Sequence, residues 1–313
     1  MTARYDRKAM LATLLWIAFQ EPAPEAAPAP AAAAASTSLP TGKSEHALRL
    51  GEATLPVFVY QPEGWRGTRM LLVMHGVLRN ADEYRDHAIG MGDRFDALIV
   101  APKFDAERFP SRRYQRGGIV REDGSAAPPH EWTYALIPQI ATRMRELAGR
   151  DSLPFWIIGH SAGGQFAMRM SAFMDTGAVR LVAANPGTDL FPTRSLPFGH
   201  GFGSLPQELS DDAQLQRYLA APLTIYLGTA DDVPDEYFDQ SAEGMAQGSG
   251  RHQRGVACYW MGKTLAELKG WRFGWRLVEA PGVGHDHEKM FAHTACELAL
   301  FGAPAAAPAA TGK

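Results

Sequence analysis

Ser161 lies at the centre of Gly159-His160-Ser161-Ala162-Gly163, directly after the apolar, β-branched run Phe155-Trp156-Ile157-Ile158. The residues that follow, Gly164 to Met170, read as a helix. A serine between a strand and a helix is held at the apex of a tight turn that exposes its hydroxyl, and glycines are needed beside it because side chains there would strike the neighbouring elements. Ser161 is the candidate nucleophile. A serine hydroxyl needs a base to take its proton and a third group to orient that base.

Two later segments supply these groups. Leu223–Leu227 runs into Gly228-Thr229-Ala230-Asp231-Asp232, and Trp275–Glu279 runs into Pro281-Gly282-Val283-Gly284-His285. The chain order Ser161, Asp231, His285 is then that of a nucleophile, orienting acid and base on an α/β sheet. Asp232 competes with Asp231, which is favoured because it stands where the strand should yield to a turn. His287 and His293 compete with His285, and His287 is expected to be a surface histidine at a helix start. For the oxyanion of a tetrahedral intermediate, the expected donors are the backbone N–H groups of Ala162 and of Val77, which follows His75-Gly76 after another apolar run. His75 is expected to be structural.

These residues require a mostly parallel sheet, since sites in open α/β sheets assemble at the carboxyl ends of strands. Strands are expected at Ala47–Leu50, Leu55–Tyr60, Met70–Met74, Ala97–Ala101, Phe155–Ile158, Leu181–Ala184, Leu223–Leu227 and Trp275–Glu279. Helices are expected at Trp132–Ala148, Gly164–Met174, Gly255–Leu268 and Glu288–Leu300. The 313 residues are 46% hydrophobic and 21% charged, enough for a large core, and residues 41–302 read as one catalytic domain. A net charge of −3 argues against a general nucleic-acid binder. Arg4, Arg7 and Lys8 precede the apolar Met10–Phe19 and a Pro/Ala tract, so residues 1–40 are read as an export signal and linker, and residues 303–313 as a frayed tail. The mature protein is expected to be exported, without a membrane anchor. Cys258 and Cys296 are equally compatible with a disulfide and with two buried thiols.

Two stretches break the alternation and are assigned to the rim of the site. Residues 105–130 are rich in Arg, Gly and Pro, and Arg112, Arg113 and Tyr114, with Arg79 from the oxyanion loop, are candidates to hold a carboxylate-bearing acyl group or polymer. Residues 188–209 offer Phe191 and Phe198 as an apolar wall or partial lid, with glycines 199, 201 and 203 allowing motion. Trp271 and Trp275 are taken as core. No cofactor is called for: no Gly-x-Gly-x-x-Gly follows the first strand, and no metal is expected, because the neighbours His285, Asp286 and His287 rarely converge on one ion.

Across residues 46–302 the chain resembles the α/β-hydrolase superfamily. Within it, Met74-His75-Gly76, Gly-His-Ser-Ala-Gly-Gly at 159–164 and Pro281-Gly282-Val283-Gly284-His285 look most like the polyhydroxybutyrate-depolymerase and feruloyl-esterase branch, to which a poly(aspartic acid) hydrolase is also similar. The resemblance implies an α/β-hydrolase fold, with helices on both faces of the sheet, and cofactor-free hydrolysis of a small-molecule or polymeric ester through an acyl-enzyme. An amide is the alternative substrate. Some members also carry additional binding domains and several disulfides; neither is expected here, which counts against attack on a solid polymer.

Overall fold

Met70, Leu72 and Met74 enter one apolar core and Leu71 and Val73 enter another, so the strand that carries them is covered on both faces. That two-sided burial explains its unbroken apolar sequence. The computed structural model describes residues 39–51 and 53–303. The expected export signal lies almost wholly outside the described residues, as does nearly all of the expected C-terminal tail.

Eight strands form one sheet: β1 (Gly42–Leu50), β2 (Ala53–Gln61), β3 (Arg69–Met74), β4 (Ala97–Pro102), β5 (Phe155–His160), β6 (Leu181–Ala184), β7 (Leu223–Gly228) and β8 (Arg276–Ala280). Their spatial order is β1-β2-β4-β3-β5-β6-β7-β8. The hairpin β1-β2 is antiparallel and β2 pairs antiparallel with β4, while every pairing from β4 through β8 is parallel. The carboxyl ends of β3, β5, β6, β7 and β8 therefore stand side by side on one edge.

The described helices are α1 (Ala81–His87), α2 (Ile89–Phe95), α3 (Leu136–Ala148), α4 (Ala162–Phe173), α5 (Asp212–Ala220), α6 (Ala242–Gln247), α7 (Arg251–Lys269), α8 (His287–Ala292) and α9 (Ala295–Phe301). Side chains of α3, α4, α5 and α7 fill one core, and those of α1, α2, α8 and α9 the other. Every residue of α4 is buried, which accounts for its nearly uniform apolar and small-residue sequence. None of the described helices is long and apolar enough to cross a membrane.

Two expectations change and one open alternative is decided. The helix expected over Glu288–Leu300 breaks at His293, whose backbone is extended, into α8 and α9. The helix expected from Trp132 begins at Leu136, after two short 3-10 turns. Cys258 and Cys296 are free thiols buried in opposite cores, so the sheet separates them and they form no disulfide. Trp275 is buried and donates its indole N–H to the Tyr218 carbonyl at 2.8 Å, and Trp271 packs half-buried on the same core, as expected.

Candidate active site

β5 delivers Ser161 in a backbone conformation that side chains rarely adopt, φ 56° and ψ −117°. The turn is held by the Ser161 N–H donating to the Ala184 carbonyl at 3.0 Å and by the Ser161 carbonyl accepting from Gln165 N–H at 2.9 Å. The flanking glycines are sterically required. A Cβ on Gly159 would lie 2.1 Å from the Gly163 carbonyl oxygen, and one on Gly163 would lie 2.1 Å from the carbonyl oxygen of Met74. This last contact seats the first turn of α4 directly on the end of β3, bringing Ala162 beside the His75-Gly76-Val77 loop. First-turn N–H groups of a helix have no intrahelical acceptor, so Ala162 N–H is available to a ligand.

His285 and Asp231 come from the loops after β8 and β7, and His285 Nδ1 lies 2.7 Å from Asp231 Oδ2. Asp231 is 2% exposed, whereas Asp232 is exposed and lies 3.9 Å from His252. Two residues that the sequence reading did not single out fix this pair. Arg251, 1% exposed at the start of α7, places Nη1 3.3 Å from Asp231 Oδ1 and Nη2 2.6 Å from Asp235. Asn185, wholly buried at the end of β6, accepts from Gly228 N–H at 2.7 Å and donates to the Gly284 carbonyl at 2.9 Å. It thereby ties together the loops that carry Asp231 and His285. A polar residue at a strand's carboxyl end was the available signal for Asn185; nothing local pointed to Arg251.

Ser161, His285 and Val77 line one hollow with Tyr84, His160 and His287. The His160 ring lies 4.6 Å from that of His285, and burial drives the His160 imidazole far below its ordinary pKa, with the neighbouring His285 adding to the shift. It is therefore held in its neutral form beside His285. His287 is not the expected surface histidine: it is half-buried, stacks on Tyr84 at 4.0 Å, and is lowered to about 4, chiefly by burial and then by His87. His75 is structural as expected. Its Nδ1 donates to Gly76 O at 2.9 Å, its Nε2 accepts from Phe104 N–H at 3.0 Å, and burial lowers its pKa to about 3.

A second hollow meets the first at Ser161 and is lined by Ala162, Gln115, Arg116, Gln165 and Arg169. The exposed Arg116 guanidinium makes no hydrogen bond or ion pair with the described residues, although Arg112, four residues earlier, pairs with Glu122 at 3.1 Å. Arg169 is buried, with Nε lacking a partner among the described residues.

The expected substrate contacts do not gather here. Arg79 turns inward and donates to the carbonyls of Phe104 at 3.2 Å and Phe109 at 2.9 Å, with its guanidinium over the Tyr114 ring; it holds the arginine-rich loop from beneath. Tyr114 is fully buried and donates to the His75 carbonyl at 2.8 Å. Arg112 and Arg113 line a separate hollow with Phe109 and Trp132, away from Ser161. Phe191 is a core residue and Phe198 packs edge-on against Phe173, so neither forms a wall of the site. The expected lid is anchored rather than free: a Cβ on Gly201 or Gly203 would fall 2.7 Å or 2.5 Å from backbone carbonyl oxygens, and Phe202 is in the core.

No family model and no curated protein matches the chain. Among solved structures, the chain is 34% identical to poly(aspartic acid) hydrolase-1 from Sphingomonas sp. KT-1, with a TM-score of 0.75 over 80% of this chain and 96% of that one. It is 31% identical to the poly(3-hydroxybutyrate) depolymerase LpqC from Bordetella parapertussis, also at TM-score 0.75, over 82% of this chain and 89% of that one. An S-formylglutathione hydrolase from Agrobacterium tumefaciens, 16% identical with a TM-score of 0.51 over 84% of this chain and 96% of that one, shares the fold alone. With the strand order, the strained serine turn and two relatives above 30% identity along most of its length, the chain is a hydrolase of the α/β-hydrolase superfamily.

Proposed function

We propose that this hydrolase cleaves a carboxylic ester through an acyl-enzyme on Ser161, without a cofactor. The observation that carries the reading is the 2.7 Å contact between Asp231 and His285, whose ring lines the same hollow as the half-buried Ser161. In this mechanism Asp231 accepts the Nδ1 proton of His285, leaving Nε2 to take the Ser161 proton as Oγ attacks the carbonyl carbon. The N–H groups of Val77 and Ala162 stabilise the oxyanion, a contribution of about 2.7–4 kcal/mol for one such donor in comparable enzymes. Protonated His285 then gives its proton to the departing alcohol. Water, deprotonated by the same imidazole, cleaves the acyl-enzyme and regenerates Ser161.

A second reading, hydrolysis of an amide in an anionic polymer such as poly(aspartate), is favoured by Arg116. Its guanidinium, unpaired among the described residues, stands in the hollow that adjoins Ser161, which Arg169 also lines. The expected basic rim thus shifts from Arg112 and Arg113 to Arg116. Arginine binds carboxylates through paired N–H donors, so carboxylate-bearing acyl groups fit that side. The protein is further proposed to act after export, on the strength of the basic and then apolar residues 4–19, as a soluble enzyme with neither nucleic-acid nor membrane partners.

Hydrolysis of neutral and carboxylate-bearing p-nitrophenyl esters, with poly(aspartate) alongside, tests the function. Cleavage by the wild type that is lost in Ser161→Ala supports it, and equal cleavage by both proteins refutes it.

A further inference from the structure

His87 ends α1 and His287 begins α8, and the two imidazoles meet with Nδ1 of His87 2.8 Å from Nε2 of His287. Glu83 lies one turn before His87 on α1, and one of its carboxylate oxygens completes a set of three ligand atoms all within 4.8 Å of one another. We propose that Glu83, His87 and His287 form a binding site for one late first-row divalent cation, of the chemistry of Zn2+, whose occupancy slows hydrolysis at Ser161.

The donor set suits such an ion. Two imidazole nitrogens and a carboxylate leave an open coordination position, and Zn–N bonds of about 2.0–2.1 Å put adjacent ligand nitrogens only slightly farther apart than these already are. The hydrogen bond now joining the rings uses the same two atoms, so a cation replaces the shared proton without moving either helix far. Both rings are also oriented from behind. His87 Nε2 faces a Glu288 carboxylate oxygen at 3.8 Å, and the His287 ring is stacked on Tyr84 with an interplanar angle of 2°. Hard cations such as Mg2+ favour all-oxygen sites and do not match two imidazoles.

Glu83 and His287 line the same hollow as Ser161 and His285. A bound cation there narrows the approach to Ser161, because two of its three ligands stand in the wall of that hollow. This inhibitory consequence rests on the proposed function; the binding itself does not.

Calorimetric titration of the metal-free protein with ZnCl2 tests the site, with MgCl2 as control. One equivalent of Zn2+ is expected to bind, Mg2+ is not, and His87→Ala and Glu83→Gln should each weaken Zn2+ by at least about tenfold. Without metal, His87→Ala should hydrolyse ester at the wild-type rate, and Zn2+ that inhibits the wild type should no longer inhibit this variant. Absence of Zn2+ binding, or binding unchanged in His87→Ala, overturns the site. Stoichiometric binding without inhibition of an active wild type overturns the regulatory claim. An enzyme inactive on every ester but still binding Zn2+ through His87 upholds the site and instead counts against the proposed function.

Discussion

Arg251 holds the Asp231 carboxylate oxygen that His285 leaves free: Nη1 reaches Oδ1 at 3.3 Å while His285 takes Oδ2 at 2.7 Å. Both side chains are 1% exposed, so the guanidinium fixes the carboxylate in one orientation and offsets its buried charge. Arg251→Met leaves Asp231 without that compensation. The expected loss of stability is about 3–5 kcal/mol by denaturant melting. In the folded fraction, kcat should fall by up to about 100-fold, because His285 loses its fixed acceptor. Unchanged stability and turnover would remove Arg251 from the account.

Asn185 joins the loops that carry Asp231 and His285, bonding their backbone at Gly228 and Gly284. Asn185→Ala strands the buried Gly228 N–H, at about 1–3 kcal/mol, and frees the part-buried Gly284 carbonyl. Steady-state kinetics should show kcat reduced with KM little changed. A KM effect alone would mean that Asn185 serves the substrate pocket instead.

Asp189 is buried with neither carboxylate oxygen hydrogen-bonded among the described residues, and desolvation raises it to about 7 despite nearby Arg169 and Arg254. The folded protein keeps this proton up to about pH 7, whereas an unfolded aspartate loses it near pH 3.8. Between those values the folded state binds more protons, so this group's contribution makes stability fall as pH rises. Asp189→Asn should remove that slope, and its stability advantage over wild type should widen from about pH 4 to about pH 7. A pH-independent difference in melting curves would contradict the assignment.

If Arg116 holds a carboxylate of the substrate, Arg116→Ala should raise KM for carboxylate-bearing esters by about tenfold, the effect of losing roughly 1.4 kcal/mol of binding. KM for neutral esters should stay within about twofold, well inside that scale. Equal effects on both classes would show that Arg116 does not read charge.

The proposed site of Ser161, Asp231 and His285 was legible because each of the three follows an apolar run, and strand ends converge on one edge of a parallel sheet whatever the loops do. Ser161 was further marked by glycines whose every added Cβ would strike backbone. The arginine rim was not legible, since charge does not reveal direction: Arg79, at φ 62°, turns into the protein, whereas Arg116 faces the site. Helices α1 and α2 are seven residues each, too short for a clear 3.6-residue pattern. Asn185 reaches Gly228 and Gly284 across 43 and 99 positions, and His87 reaches His287 across 200. Contacts of that span are made by the sheet order, which local pattern does not encode.

The most direct test of the central claim is peptide mass mapping after treatment with a fluorophosphonate that phosphonylates activated serines. A single adduct on the fragment containing Ser161, strongly reduced in His285→Ala, is the predicted result. An adduct on another residue, or an unlabelled protein that still hydrolyses ester, would contradict the account.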